Sequence, residues 1–119
     1  MRLKDDVYNH EWIITRLLEK IKNSDLDEQS KKLLSDFYTE CVVQSLSKAR
    51  IAKLLDTLWR VSKWFGKPLE DVGREDITRL VVKVESADYS PWTKHDYKAI
   101  IKQFFKWLRK TEEYPPEVK

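Results

Sequence analysis

Cysteine occurs once in this chain, and glycine and histidine twice each; each scarcity closes off a class of function. A lone thiol, Cys41, cannot form an internal disulfide and has no second ligand at metal spacing. The two histidines, His10 and His95, are far apart in sequence, with no Cys or carboxylate placed to complete a metal motif. Gly66 and Gly73 are too few to build a phosphate-cradling loop. No Ser/His/Asp set has a motif around it. The adjacent acids Glu70-Asp71, Glu75-Asp76 and Glu112-Glu113 fall at turns or helix starts, where capping accounts for them. Neither an autonomous active site, nor a cofactor, nor a metal is expected. Long apolar runs are missing too: none approaches the roughly 18–20 residues of a membrane helix. Met1-Arg2-Leu3-Lys4-Asp5-Asp6 lacks a signal-peptide core, so a soluble, cytoplasmic protein is the expectation.

What is present is globular and helical. A chain of 119 residues is one domain by length, and an apolar fraction of 41% with 5 Trp, 5 Tyr and 4 Phe suffices for one core. Apolar positions recur at three- and four-residue spacing, which predicts five helices. The first runs from Asn9 as N-cap to Lys22, with Trp12, Ile13, Leu17, Leu18 and Ile21 inward. Asp25 and Glu28 form a capping box for the second, which turns Leu33, Leu34, Phe37, Tyr38, Cys41 and Val42 inward and stops near Gln44. Cys41 on that face is a packed core thiol rather than a nucleophile. Ser47 caps the third helix, Lys48 to Phe65, and Gly66 suits its C-terminal turn. Ile51, Leu54, Leu55, Leu58, Val61, Ser62 and Phe65 share one side of it. Leu69 and Val72 staple the connector that follows. The fourth helix spans Arg74 to Glu85, with Ile77, Leu80, Val81 and Val84 inward; its Val-Val pair leaves a strand open. Ser90 as N-cap and Pro91 at the first helical position begin the fifth.

Charge is unevenly spread. Residues 1–46 carry seven Lys/Arg against nine Asp/Glu and residues 47–119 sixteen against eleven, so the basic excess belongs to the second part. Lys94, Lys98, Lys102, Lys106 and Lys110 share one i,i+4 ridge of the fifth helix, opposite Tyr97, Ile100, Ile101, Phe104, Phe105, Trp107 and Leu108. Like charges at that spacing destabilise a helix by about 0.2–0.5 kcal/mol per pair, so the ridge gains nothing in isolation. Arg50, Lys53, Arg60 and Lys63 give the third helix a basic front as well. Two readings of such fronts stand side by side: solvation of the exterior, and attraction to an external polyanion such as nucleic acid. Trp64 projects from the basic side and either rests on a neighbouring element or marks a contact surface.

Phosphate contacts draw on long cations and on hydroxyls and N–H groups at helix starts. Ser47, Lys48, Arg50 and Lys53 supply these on the third helix; Ser90, Thr93, Lys94, His95, Lys98 and Lys102 supply them on the fifth. On the second of those readings, these ten residues are the expected double-stranded-DNA contacts, with Arg50, His95 and Lys98 available for base edges; on the first, they solvate the exterior.

Two phrases carry a family resemblance. The first is Leu46-Ser47, a helix with Ile51, Leu54, Leu58 and Trp64-Phe65, then Leu69-Glu70-Asp71-Val72 and Asp76-Ile77. The second is Ser90, Thr93, Tyr97, Ile100-Ile101, Phe104-Phe105 and Trp107-Leu108. Together, from Ser47 to Val118, they resemble the core-binding (SAM-like) domain of tyrosine recombinases, the phage integrase family, with archaeal integrase-like members nearest. Arg50 and Gly73 stand where the pattern usually has threonine, and Leu54 where an aromatic is common.

The resemblance implies an all-α fold: a compact bundle of four core helices plus an extra N-terminal helix. It divides the chain into an N-terminal helical portion (1–46), core-binding helices (47–111) and the start of a linker (112–119) that includes Tyr114-Pro115-Pro116. It implies that cleavage chemistry belongs to a following catalytic domain, so that this chain binds duplex DNA for integration and recombination and catalyses nothing. Tyr114 is then a linker residue. The implied partners are DNA, that catalytic domain and sister protomers; no membrane is involved, and the isolated chain is a monomer. The alternative is a helical protein-interaction module anchored by Trp64 or Trp92. An anionic membrane surface is a weaker third option, because the aromatic face of the fifth helix is needed for the core.

Overall fold

The computed structural model describes the backbone of residues 2–110 and side chains from Asn9 onward. These residues form five helices in chain order: α1 (Arg2–Lys22), α2 (Glu28–Val43), α3 (Lys48–Phe65), α4 (Arg74–Ser86) and α5 (Pro91–Arg109), with one 3₁₀ turn at Leu69–Asp71. The all-α bundle expected from apolar spacing is what forms, and no strand occurs among the described residues; the Val81-Val82 segment is helical.

The local punctuation explains most boundaries. The Ser47 hydroxyl accepts the Arg50 N–H at 3.1 Å, and the Ser90 hydroxyl accepts that of Thr93 at 3.2 Å. Each satisfies one of the orphan donors of a helix start. Gly66 ends α3 at φ +65°, the left-handed conformation glycine takes without penalty. At the head of α4 the Asp76 carboxylate reaches back to the Gly73 N–H, 2.9 Å away, doing from inside the helix what a side-chain cap would do from outside.

Four expectations need correction. Helix α1 begins at Arg2, and Asn9 lies inside it. No Gly or Pro separates Arg2 from Asn9, and an interior Asn costs under about 0.7 kcal/mol, too little to stop propagation. The inward stripe of α1 is Ile14, Leu17 and Ile21, with Leu18 partly buried. Those positions obey the i, i+3, i+4, i+7 rule; Trp12 sits about 200° round the wheel from Ile14 and Ile13 falls on the flank. Trp12 is accordingly 62% exposed and lies under the Arg16 guanidinium, 5.2 Å from its ring centre. Finally, Asp27 rather than Asp25 caps α2, accepting the Ser30 N–H at 2.9 Å. Ser24 donates to the Ile21 carbonyl (2.7 Å) and accepts the Leu26 N–H, which prolongs the α1–α2 turn by two residues. Val42, also expected inward, is exposed near the end of α2, beside a shallow groove it shares with Ile14, Leu18 and Tyr38.

One core unites all five helices. Helix α3 runs through its middle, burying Ile51, Ala52, Leu54, Leu55, Thr57, Leu58, Val61 and Ser62. Phe104 meets Phe37 edge-on at 5.3 Å and Phe105 meets Phe65 at 5.9 Å, tying α5 to α2 and α3. Such pairs contribute about 0.5–1.5 kcal/mol beyond area burial. The connector is held from below: Leu69 and Val72 are buried, and the Leu69 N–H donates to the buried Ser30 hydroxyl at 2.8 Å. The expected linker, residues 112–119 with Tyr114, lies outside the described residues.

Candidate nucleic-acid interface

The two basic helices meet. Lys53 of α3 pairs with Asp96 of α5, each in the second turn of its helix. Further along α3, the Arg60 guanidinium donates to the Tyr97 hydroxyl at 3.4 Å and to Asp56 at 2.7 Å. Tyr97 itself stacks with two rings: Trp64, 5.7 Å away, and Tyr89, 5.4 Å away. The Lys83 ammonium covers Trp64 at 4.6 Å. Of the two roles open to Trp64, packing against α4 and α5 is the one the structure adopts. The stack also holds Tyr89, and with it the loop that leads into the Ser90 cap, against α5. Hydrogen bonding to Tyr97 raises both the Arg60 and the Tyr89 pKa.

Around this junction the ten expected contact residues divide. Ser47 and Ser90 are occupied as caps, and the Ser90 hydroxyl also lies 3.1 Å from that of Thr93. Lys48 is paired with Glu11 of α1. Lys53 is held by Asp96. Lys94 donates to the Glu85 main-chain carbonyl at 2.7 Å, and Lys98 to the Glu85 carboxylate at 2.6 Å. Lys102 is half-buried. Arg50 is half-buried on the α2 side, near enough to Cys41 to oppose the rise in the thiol pKa caused by burial and Glu40. His95 is exposed, its edge against Trp92 at 6.2 Å.

Two features of this surface are not visible in the periodicity of the sequence. One is the carboxylates: Asp96 and Glu85 face lysines that come from another helix, and apolar spacing carries no information about such pairing. The other is Trp92, which at 77% exposure is the most exposed large apolar side chain among the described residues. Trp92 was already a candidate anchor for the protein-interaction alternative, and its place beside Pro91, ahead of the first apolar repeat, keeps it off the core face.

Chemically, the surface offers cations in loose partnership. The Lys48–Glu11 and Lys53–Asp96 pairs are partly exposed, and exposed pairs are worth roughly 0–1 kcal/mol, so a phosphate can take either lysine at little expense. The described residues contain no group of acids, Cys and His able to hold a metal ion, and no helix long and apolar enough to cross a membrane. Comparison with protein-family models, curated proteins and solved structures finds no match to this chain.

Proposed function

We propose that this chain is a duplex-DNA-binding helical domain that uses α3 and α5 on the phosphate backbone and major groove. By its resemblance to the core-binding domain of tyrosine recombinases, it would serve DNA integration or recombination alongside a catalytic domain and sister protomers. The observation that carries the reading is the Lys53–Asp96 bridge. It joins the second turns of two serine-capped basic helices that lie far apart in the chain. Lys48, Lys53 and Lys98 are held by carboxylates and Lys94 by a main-chain carbonyl, partners that a phosphate can replace. The test replaces Lys94, Lys98 and Lys102 together with glutamine. Binding to duplex DNA should weaken, and the salt dependence should flatten by about 0.9 log units per log unit of salt for each phosphate no longer neutralised. Unchanged affinity and slope would remove α5 from the interface.

A second reading rests on Trp92. An indole 77% exposed on a rigid helix start is an anchor for a protein partner. Under that reading association is insensitive to salt, Trp92→Ala abolishes it, and the lysine triple variant leaves it intact.

A further inference from the structure

Glu85 stands against the electrostatics of its own helix. It occupies the last turn of α4, where the partial negative charge of the helix end disfavours an acid. Helix stability therefore does not account for it. What it does is gather cations from α5: its carboxylate takes Lys98 and its carbonyl takes Lys94, both within 2.7 Å. Lys98 holds the Glu85 carboxyl below its ordinary pKa, first through the hydrogen bond and then through charge, so the acid remains ionised.

The tie is open on its acidic side: the Glu85 side chain is 47% exposed and that of Lys98 24%. Asp76, by contrast, is 9% exposed at its side chain and bonded to Gly73, Lys67 and Arg79, as a structural carboxylate should be. A carboxylate that presents an anionic oxygen at hydrogen-bond distance to a flexible ammonium offers the lysine what a phosphate would.

We propose that Glu85 is an internal stand-in for a DNA phosphate, one that holds Lys94 and Lys98 at the α4–α5 corner until the backbone displaces it. The acid thereby sets the affinity and salt sensitivity of the face. Asp96 does the same for Lys53. The inference rests on the DNA-binding reading above.

The experiment uses the 119-residue chain, a labelled mixed-sequence duplex and fluorescence anisotropy across a salt series. Glu85→Gln removes the charge and keeps the shape. The variant should bind about 3- to 10-fold tighter at low salt, with a slope steeper by about 0.9, as expected when Lys98 neutralises one more phosphate while Lys94 keeps the main-chain carbonyl. In a Lys94→Gln/Lys98→Gln background the gain should vanish. If E85Q binds no tighter than the wild type while the wild type shows salt-dependent binding, the stand-in role is overturned and the DNA-binding reading survives. If the wild type shows no salt-dependent binding, both fall. Should circular dichroism show that E85Q has lost helix, Asp96→Asn decides the matter in the same way through Lys53: tighter binding supports the role and unchanged binding overturns it.

Discussion

Replacing Ser30 with alanine removes one oxygen atom from the interior, and the structure specifies the consequence. The Ser30 side chain is fully buried in α2, and its hydroxyl is the acceptor for the Leu69 N–H, 2.8 Å away in the 3₁₀ turn. Leu69 is buried as well, so no water can take over the bond. A buried donor left without a partner costs about 1–3 kcal/mol. The cavity term is small, since only an oxygen is removed, and the Asp27 cap keeps the Ser30 main-chain N–H while losing the Ser30 hydroxyl. Urea denaturation should show a lower midpoint at unchanged slope. Thermal melting should fall by about 3–6 °C per kcal/mol in a chain of 119 residues. Ser35→Ala, on an exposed position of the same helix, is the control and should stay within about 0.5 kcal/mol of the wild type. A Ser30→Ala protein as stable as that control would refute the reasoning. It would mean that the connector finds another acceptor for Leu69 or is not held by this bond.

Two further outcomes follow from titrating groups. The Asp76 carboxyl lies below its ordinary value of 3.8 because it accepts the Gly73 N–H and is then bonded to Lys67. Its folded-state value is the lower one, so its contribution is complete above the unfolded value and is lost as pH falls through the folded one. The urea midpoint should therefore drop below about pH 4, and Asp76→Asn should be less stable at pH 7 and show a shallower acid decline; an identical decline would exclude Asp76 as a contributor. Burial pushes the Cys41 thiol up to about 11, so at pH 8 a thiol-specific disulfide reagent should leave the native protein unlabelled and label it on unfolding. Rapid labelling of the native state would contradict the packed position of that side chain.

How much of this was legible in the sequence depends on the range of the interaction. Ser47, Gly66, Ser90 and Pro91 act within one helical turn, and all four mark the boundaries they were expected to mark. Inward positions of α3, α4 and α5 were likewise readable, since those segments repeat their apolar residues over several turns. Helix α1 was less so. Its contiguous Trp12-Ile13-Ile14 fits more than one stripe, and only the position of α3 decides that Ile14 goes in. The cap of α2 is similar: Asp25 was expected, and the acid two residues further on, Asp27, is the one that takes the Ser30 N–H. For the interface the limit is stricter. The sequence placed cations on two helix fronts, but Lys98 meets Glu85, and Lys53 meets Asp96, across different helices. Summing charge along the chain cannot reveal those pairs. They change the surface from a bare ridge to one whose lysines are already engaged by exchangeable partners.

That change makes salt the decisive variable. The most direct measurement is the affinity of the wild-type chain for a mixed-sequence duplex, titrated from low to physiological salt. The account predicts a linear fall of log affinity with log salt. Its slope should match several phosphates at about 0.9 each, since at least Lys48, Lys53, Lys94 and Lys98 can exchange partners. Absent or salt-independent binding would contradict it and leave Trp92 as the feature that most needs a partner.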